Sequence, residues 1–164
     1  MAKLVSKGIV KAAGMMKMDN RINYFKVAPD ALETIMESEK YVRKTSIDKK
    51  LKELIKIRVS QINGCSYCLN MHTKAAEKLK VSTEKMNRLD NWKETEIFTE
   101  EEKAAFELAE HMTLISENGV SNRLYEQVRQ YYNEKEYVEL VMVIIQINTW
   151  NRLSIAMGNH AEVQ

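Results

Sequence analysis

The chain has almost none of the residues that interrupt secondary structure: one proline and five glycines in 164 positions. Folds assembled from many short strands need turn residues at regular intervals, and no run here alternates apolar and polar residues between such turns. With 45% of its residues apolar and little punctuation, the sequence predicts an all-helical domain of about six to eight helices. A chain of this length is long enough to bury its own core, so one domain over residues 1–164 suffices, with residues 1–20 as an N-terminal extension or helix.

An excess of one charge is also lacking. Twenty-five Lys and Arg face 23 Asp and Glu, and the two signs are interspersed, which argues against a nucleic-acid partner. The single one-sided region is the start, where Lys3, Lys7 and Lys11 recur every fourth residue and no acid precedes Asp19. Its apolar side has no aromatic anchor, so a terminal helix that frays or packs on a partner is expected there in preference to a membrane-bound one. Lysines interrupt every would-be apolar core before it reaches signal-peptide length. Long apolar runs are missing elsewhere too: Leu140 to Ile147 is apolar except for Gln146 and flanked by charge, which predicts a buried core helix and no bilayer span.

Cysteine occurs twice, three positions apart. So small a loop stabilises nothing, which excludes a secreted disulfide framework and makes the cytoplasm the expected compartment. The pair sits in "NGCSYCLNMH". A helix is predicted from about Ser46 to Ile62, with Leu51, Leu54, Ile55 and Val59 on one face, and Asn63-Gly64 is its stop signal. The next helix opens at or near Cys65. Pro29 begins an earlier helix; Thr99 with Glu102 has capping-box spacing for one ending near Asn118-Gly119; Asn133 with Glu136 repeats that logic before the apolar run.

If the third helix begins at this point, Cys65, Cys68 and His72 fall at i, i+3 and i+7 and share one face. Partial positive charge at a helix N-terminus favours a thiolate there. A thiol of pKa about 8.5 is only a few per cent ionised at pH 7, and a drop of about two units makes most of it thiolate. His72, one turn below Cys68, adds a base or a cationic partner for that sulfur. On a regular helix the two sulfurs would bridge under some strain, because i and i+3 Cβ atoms stand about 5–6 Å apart while a disulfide prefers about 3.8 Å. Reducible bridges of that kind suit turnover.

Other chemistries fit parts of the pattern. Covalent haem attachment needs histidine directly after the second cysteine, where Leu69 stands. A zinc site needs a fourth ligand beside the two cysteines and His72, for which Glu53, His111 and His160 are candidates. A buried, inert pair of cysteines is the plainest alternative.

The longer stretch "ELIKIRVSQINGCSYCLNMHT" resembles the core motif of the AhpD-like (alkylhydroperoxidase D-like) proteins of the carboxymuconolactone decarboxylase superfamily: a glutamate, eleven residues, Cys-x-x-Cys, and a histidine four positions on. "NWKETEIFTEEEKAAFELAE" and "INTWNRLSIAMG" are also similar to the family's later helices, so the resemblance covers roughly Phe25 to Met157. It implies an all-helical AhpD-like fold that assembles as a trimer or hexamer. It further implies that Cys68 is the peroxidatic thiol, Cys65 the resolving one, and Glu53 with His72 a proton relay. Such chemistry takes a small hydroperoxide and a dithiol or lipoyl-type reductant, and needs no metal or organic cofactor. The best-known peroxidase members carry a second histidine directly before the second cysteine, where this chain has Tyr67, whose phenol is a poor base near neutral pH. Lactone decarboxylation is set aside because that branch generally lacks the cysteine pair.

Thiol peroxidase or disulfide oxidoreductase chemistry is therefore the expected function, with a non-catalytic redox-sensing or zinc-binding module as the alternative. Gln61, Asn148, Trp150, Asn151 and Arg152 are expected mainly to make helix-to-helix hydrogen bonds and packing. The ten methionines are expected to fill core and interfaces.

Overall fold

The structure is a computed structural model that describes residues 21–159. The basic start, with Lys3, Lys7 and Lys11, and the zinc-ligand candidate His160 lie outside the described residues. Within them every element is helical: α1 (Tyr24–Val27), α2 (Pro29–Lys44), α3 (Lys49–Asn63), α4 (Ser66–Lys78), α5 (Thr83–Asn87), a 3-10 segment (Leu89–Glu94), α6 (Glu100–Thr113), α7 (Ile115–Asn118), α8 (Asn122–Arg129) and α9 (Glu134–Met157). Ten helical segments among the described residues exceed the six to eight expected. The surplus is in pieces of four to six residues, too short to carry a readable apolar period.

Helix α3 lies at the centre and packs against α4, α6 and α9. Leu54, Ile55, Ile57 and Val59 from α3 meet Phe106 and Leu108 from α6 and Leu140, Val143, Ile144 and Ile147 from α9, all essentially without exposure. Phe106 is the largest of these side chains and makes edge-on contacts with Trp92 and Phe98, at 5.9 and 5.2 Å between ring centres. Truncating a buried aromatic of this kind costs about 3–5 kcal/mol. By length and composition α9 is able to cross a membrane; here Leu140, Val143, Ile144 and Ile147 face into the bundle, while Val138, Ile145 and Ile155 are exposed.

The helix boundaries follow local chemistry. Asp48 accepts from the backbone N–H groups of Lys50 and Leu51, so α3 starts at Lys49 and not near Ser46. Ser46 instead donates its backbone N–H and its hydroxyl to Glu139 on α9, at 2.8 and 2.6 Å. Thr99 with Glu102 and Asn133 with Glu136 form complete capping boxes. The helix expected to run to Asn118 breaks at Leu114, and α7 makes a separate turn that ends at Gly119. His111 Nδ1 lies 3.0 Å from the carbonyl oxygen of Gly119 and ties that turn back to α6.

Candidate active site

Gly64 ends α3 in the left-handed conformation at φ 66°, where a residue with a side chain is strained, while a Cβ there would meet nothing within 4 Å. The turn is closed by Gly64 N–H to Gln61 O and Cys65 N–H to Ser60 O. α9 secures it from below. Asn63 donates to the side-chain oxygens of Asn148 and Asn151 at 3.0 and 2.9 Å, and Asn151 donates in turn to Ser60 Oγ at 3.1 Å. Asn148 donates to Thr113, Arg152 donates back to Asn148 at 2.6 Å, and Arg58 donates to Gln61. Of the five residues expected to make helix-to-helix bonds, Asn148, Asn151 and Trp150 make them, Trp150 by donating to Glu39 on α2 at 3.1 Å while also facing the cavity described below; Gln61 and Arg152 bond within their own helices.

Cys65 is the N-cap residue of α4 and not part of its first turn: its backbone is non-helical and its sulfur accepts the N–H of Cys68 at 3.3 Å. The Cβ spacing of a regular helix thus does not govern this pair. The two cysteines are joined in a disulfide with Cα atoms 5.4 Å apart, inside the usual range for such bonds. Both are almost wholly buried, at 2% and 1% exposure. Only Cys68 lines the adjoining cavity, so the two sulfurs differ in what can reach them.

Glu53 and His72 meet across the turn, with Glu53 Oε2 2.8 Å from His72 Nδ1. The other oxygen of Glu53 accepts from Lys56 at 3.0 Å. Burial pushes the Glu53 carboxyl upward, but the hydrogen bond from His72 and the charge of Lys56 prevail and hold it below the usual carboxylate range. An ionised Glu53 accepts only, so Nδ1 of His72 carries a proton, and in the neutral ring the lone pair is then at Nε2. That Nε2 is buried in a residue only 8% exposed and has no protein partner. An unpaired buried polar atom is costly, and it points to a site built to take a proton.

Cys68, His72 and Tyr67 share a cavity of about 410 Å³ with Tyr24, Phe25, Met36, Met71, Ile147 and Trp150. Its walls are mostly apolar and aromatic, the usual make-up of a small-molecule site. Burial pushes the Tyr67 phenol further up from its ordinary value, so it stays protonated and can donate. Glu39, Arg43 and Lys56 add charge at the rim, and sequence reasoning missed all three. Only Lys56 carried a usable signal, its i+3 spacing from Glu53. Glu39 and Arg43 lie on α2 and reach the site through packing between distant segments. Among the described residues no group of three or more His, Cys, Asp and Glu is placed to hold a metal ion, and His111 is engaged at the far end of α6. The zinc set expected with Glu53 or His111 as fourth ligand is not assembled.

Comparison with known proteins identifies the family and the fold. The carboxymuconolactone decarboxylase family matches residues 29–111, just over half the chain. The uncharacterized protein YdfG of Bacillus subtilis (strain 168) is 48% identical over 144 residues, covering 88% of this chain and 98% of its own. Among solved structures, a protein of unknown function from Agrobacterium tumefaciens, proposed to be an antioxidant defence protein AhpD, superimposes with a TM-score of 0.85 at 33% identity, covering 89% of this chain and all of that one. The debrominase Bmp8, as a variant in complex with 2,3,4-tribromopyrrole, shares the fold at 20% identity and a TM-score of 0.77, covering 97% of this chain and 84% of its own. With the Glu53, Cys65, Cys68, His72 set on one helix pair, the chain belongs to the carboxymuconolactone decarboxylase family as an AhpD-like member.

Proposed function

We propose that the protein is a thiol peroxidase or disulfide oxidoreductase in which Cys68 attacks a hydroperoxide and Cys65 resolves the product. The observation that carries this reading is the His72 Nε2 atom, buried without a protein partner, on a ring held by Glu53, beside the one cysteine that lines the cavity. In the reduced protein His72 Nε2 takes the proton of the Cys68 thiol. The thiolate attacks the terminal peroxide oxygen, the O–O bond breaks, and the departing alkoxide regains a proton from the imidazolium as alcohol. Cys68 is left as a sulfenic acid. The Cys65 sulfur then displaces its oxygen as water, restoring the disulfide present here, and a dithiol or lipoyl-type donor reopens it with two electrons.

Glu53 stabilises the imidazolium that forms between these steps and orients the ring. No metal or organic cofactor enters the cycle. Tyr67, protonated and at the cavity wall, is suited to donating a hydrogen bond to a peroxide or alkoxide oxygen and unsuited to serving as a base. The protein is proposed to work in the cytoplasm as a homo-oligomer, trimer or hexamer, with neither nucleic acid nor membrane as partner. The fold shared with a debrominase makes a halogenated aromatic ring a second electrophile worth assaying on the same thiol.

The test is peroxide consumption with a dithiol reductant. Wild type is expected to turn over and Cys68→Ser to fall to background; equal rates would overturn the assignment. A non-catalytic redox module with the same thiols would instead lose two thiols to peroxide once and show no sustained consumption.

A further inference from the structure

A second cleft, of about 250 Å³, shares the Glu53–Lys56 pair as lining with the catalytic cavity. Its charged lining is one-sided: Arg43, Lys49, Lys52 and Lys56 against Glu53 alone. The three lysines are at i, i+3 and i+7 of α3 and so occupy one helix face that lines the cleft, Lys52 and Lys56 buried and Lys49 exposed at its edge. Arg43, Glu53 and Lys56 line both spaces, which therefore adjoin.

The pairing of these cations is incomplete. Lys52 is 5% exposed, and its ammonium reaches only neutral acceptors: the carbonyls of Val42, Arg43 and Thr45 at 3.2–3.5 Å and Thr45 Oγ1 at 3.2 Å. Burial, then the charges of Lys56 and Lys49, push its pKa down, against a smaller opposing pull from Glu139 and Glu53. Glu139 is itself held by Ser46, with Lys135 beside it. Among the described residues Lys56 pairs with Glu53 alone, which is shared with His72. Arg43 uses Nε on Glu39 at 3.3 Å, and its terminal nitrogens have no partner among the described residues. A need to satisfy the last carbonyls of α2 accounts for Lys52, but it does not account for three further cations around the same space. Lys52 and Lys56 are buried while Arg43 and Lys49 are exposed, and positive charge clustered around two desolvated ammonium groups becomes more favourable when an anion occupies the space.

We propose that this cleft binds the carboxylate of an amphipathic molecule whose apolar body lies in the catalytic cavity. The anchor lets one end be held by Lys49, Lys56 and Arg43 while the other reaches Cys68. In that form it rests on the peroxidase reading above, because the molecule held is then either the hydroperoxide or the dithiol donor. The chemistry is the same for both sources, and kinetics separates them.

The first measurement needs no turnover. Binding of 4-isopropylbenzoate and of uncharged isopropylbenzene to the oxidised protein is compared by calorimetry. The carboxylate is expected to bind about tenfold tighter, which corresponds to about 1.4 kcal/mol, and to weaken as salt rises. Lys49→Glu, an exposed position whose exchange leaves the core untouched, is expected to remove most of that preference without altering isopropylbenzene binding. Equal binding of the two probes, or a preference indifferent to Lys49→Glu, would overturn the proposal. The second measurement compares kcat/KM for cumene hydroperoxide and its ring-carboxylated analogue with one dithiol, then for a neutral and a carboxylated dithiol with cumene hydroperoxide. Preference in the first pair assigns the anchor to the peroxide, and in the second to the reductant. A carboxylate preference in binding with none in either pair would overturn the claim that one molecule spans both spaces. Failure to consume any peroxide would overturn the peroxidase reading and leave the binding comparison to decide the anion site by itself.

Discussion

Glu53 and Glu110 are both partly buried carboxylates held ionised by neighbours, yet only one belongs to a site. Glu110, on α6, accepts from Arg58 Nε at 2.8 Å and Trp92 Nε1 at 2.8 Å, with Arg58 Nη2 at 2.7 Å and Lys93 at 3.3 Å. Burial pushes it upward, but the hydrogen bonds from Trp92 and Arg58 prevail, so its pKa falls as that of Glu53 does. Arg58 and Glu53 leave α3 five positions apart and point to different neighbours. Around Glu110 every partner is a full-time cation or an indole N–H, and neither Glu110 nor Arg58 lines either cavity. Around Glu53 one partner is an imidazole whose other nitrogen is left bare at a cavity that Cys68 also lines. A depressed carboxylate pKa marks a well-paired charge. It becomes a functional signal only when the pairing leaves a reactive atom unspent.

That contrast can be broken by substitution. The largest effect is expected at the sulfur itself: Cys68→Ser should reduce steady-state peroxide consumption to background, while Cys65→Ser should still form a sulfenic acid in one stoichiometric event, detected by a dimedone-type trap and mass spectrometry. Glu53→Gln comes next. It keeps the shape but removes the charge that orders His72, and kcat/KM should fall about 10²-fold, at the low end for general acid–base groups. Glu110→Gln should leave kcat/KM within about twofold and instead cost about 2–3 kcal/mol of stability by denaturant titration. If Glu110→Gln damaged turnover as much as Glu53→Gln, the distinction between the two carboxylates would collapse.

Acid should treat the two alike. Each has a folded-state pKa below its unfolded value of about 4.3, so each contributes stability above that pH and loses it as pH falls through the lower folded value. Wild-type stability is therefore expected to decline on acidification below about pH 5, and either Glu→Gln exchange should flatten part of that limb in pH-dependent unfolding. The smallest effect belongs to the turn. Gly64→Ala should cost about 1 kcal/mol, from the left-handed backbone alone, since no neighbour stands in the way. A change in disulfide reduction rate larger than the stability change would show that the turn also sets the geometry of Cys65.

The chemical pattern of the site was legible because it is local. Cys65, Cys68 and His72 lie within eight positions, and the glutamate precedes them on the adjacent helix across a two-residue stop. Capping boxes at Thr99 and Asn133 were legible for the same reason, as interactions between residues three apart. The helix expected from Ser46 shows where local reading fails. Ser46 looks like a cap, but Glu139, 93 positions away, claims both its donors, and Asp48 takes over the start. Cys65 shows it again at finer scale, since its place outside the first turn depends on a cap geometry that residue spacing does not encode.

The sequence by itself determined the helical elements and the grouping of two cysteines with a histidine, because helical period and short spacings are properties of neighbouring residues, and the resemblance to a family motif added the glutamate. Only the tertiary structure decided which sulfur faces a cavity, that His72 keeps Nε2 unpaired, and that Arg43 and Glu39 from α2 stand at its rim beside Lys56. Those facts arise from packing α9 against both α2 and the α3–α4 pair. What a side chain meets across such a contact depends on the relative placement of segments about a hundred residues apart, and no local pattern carries that information.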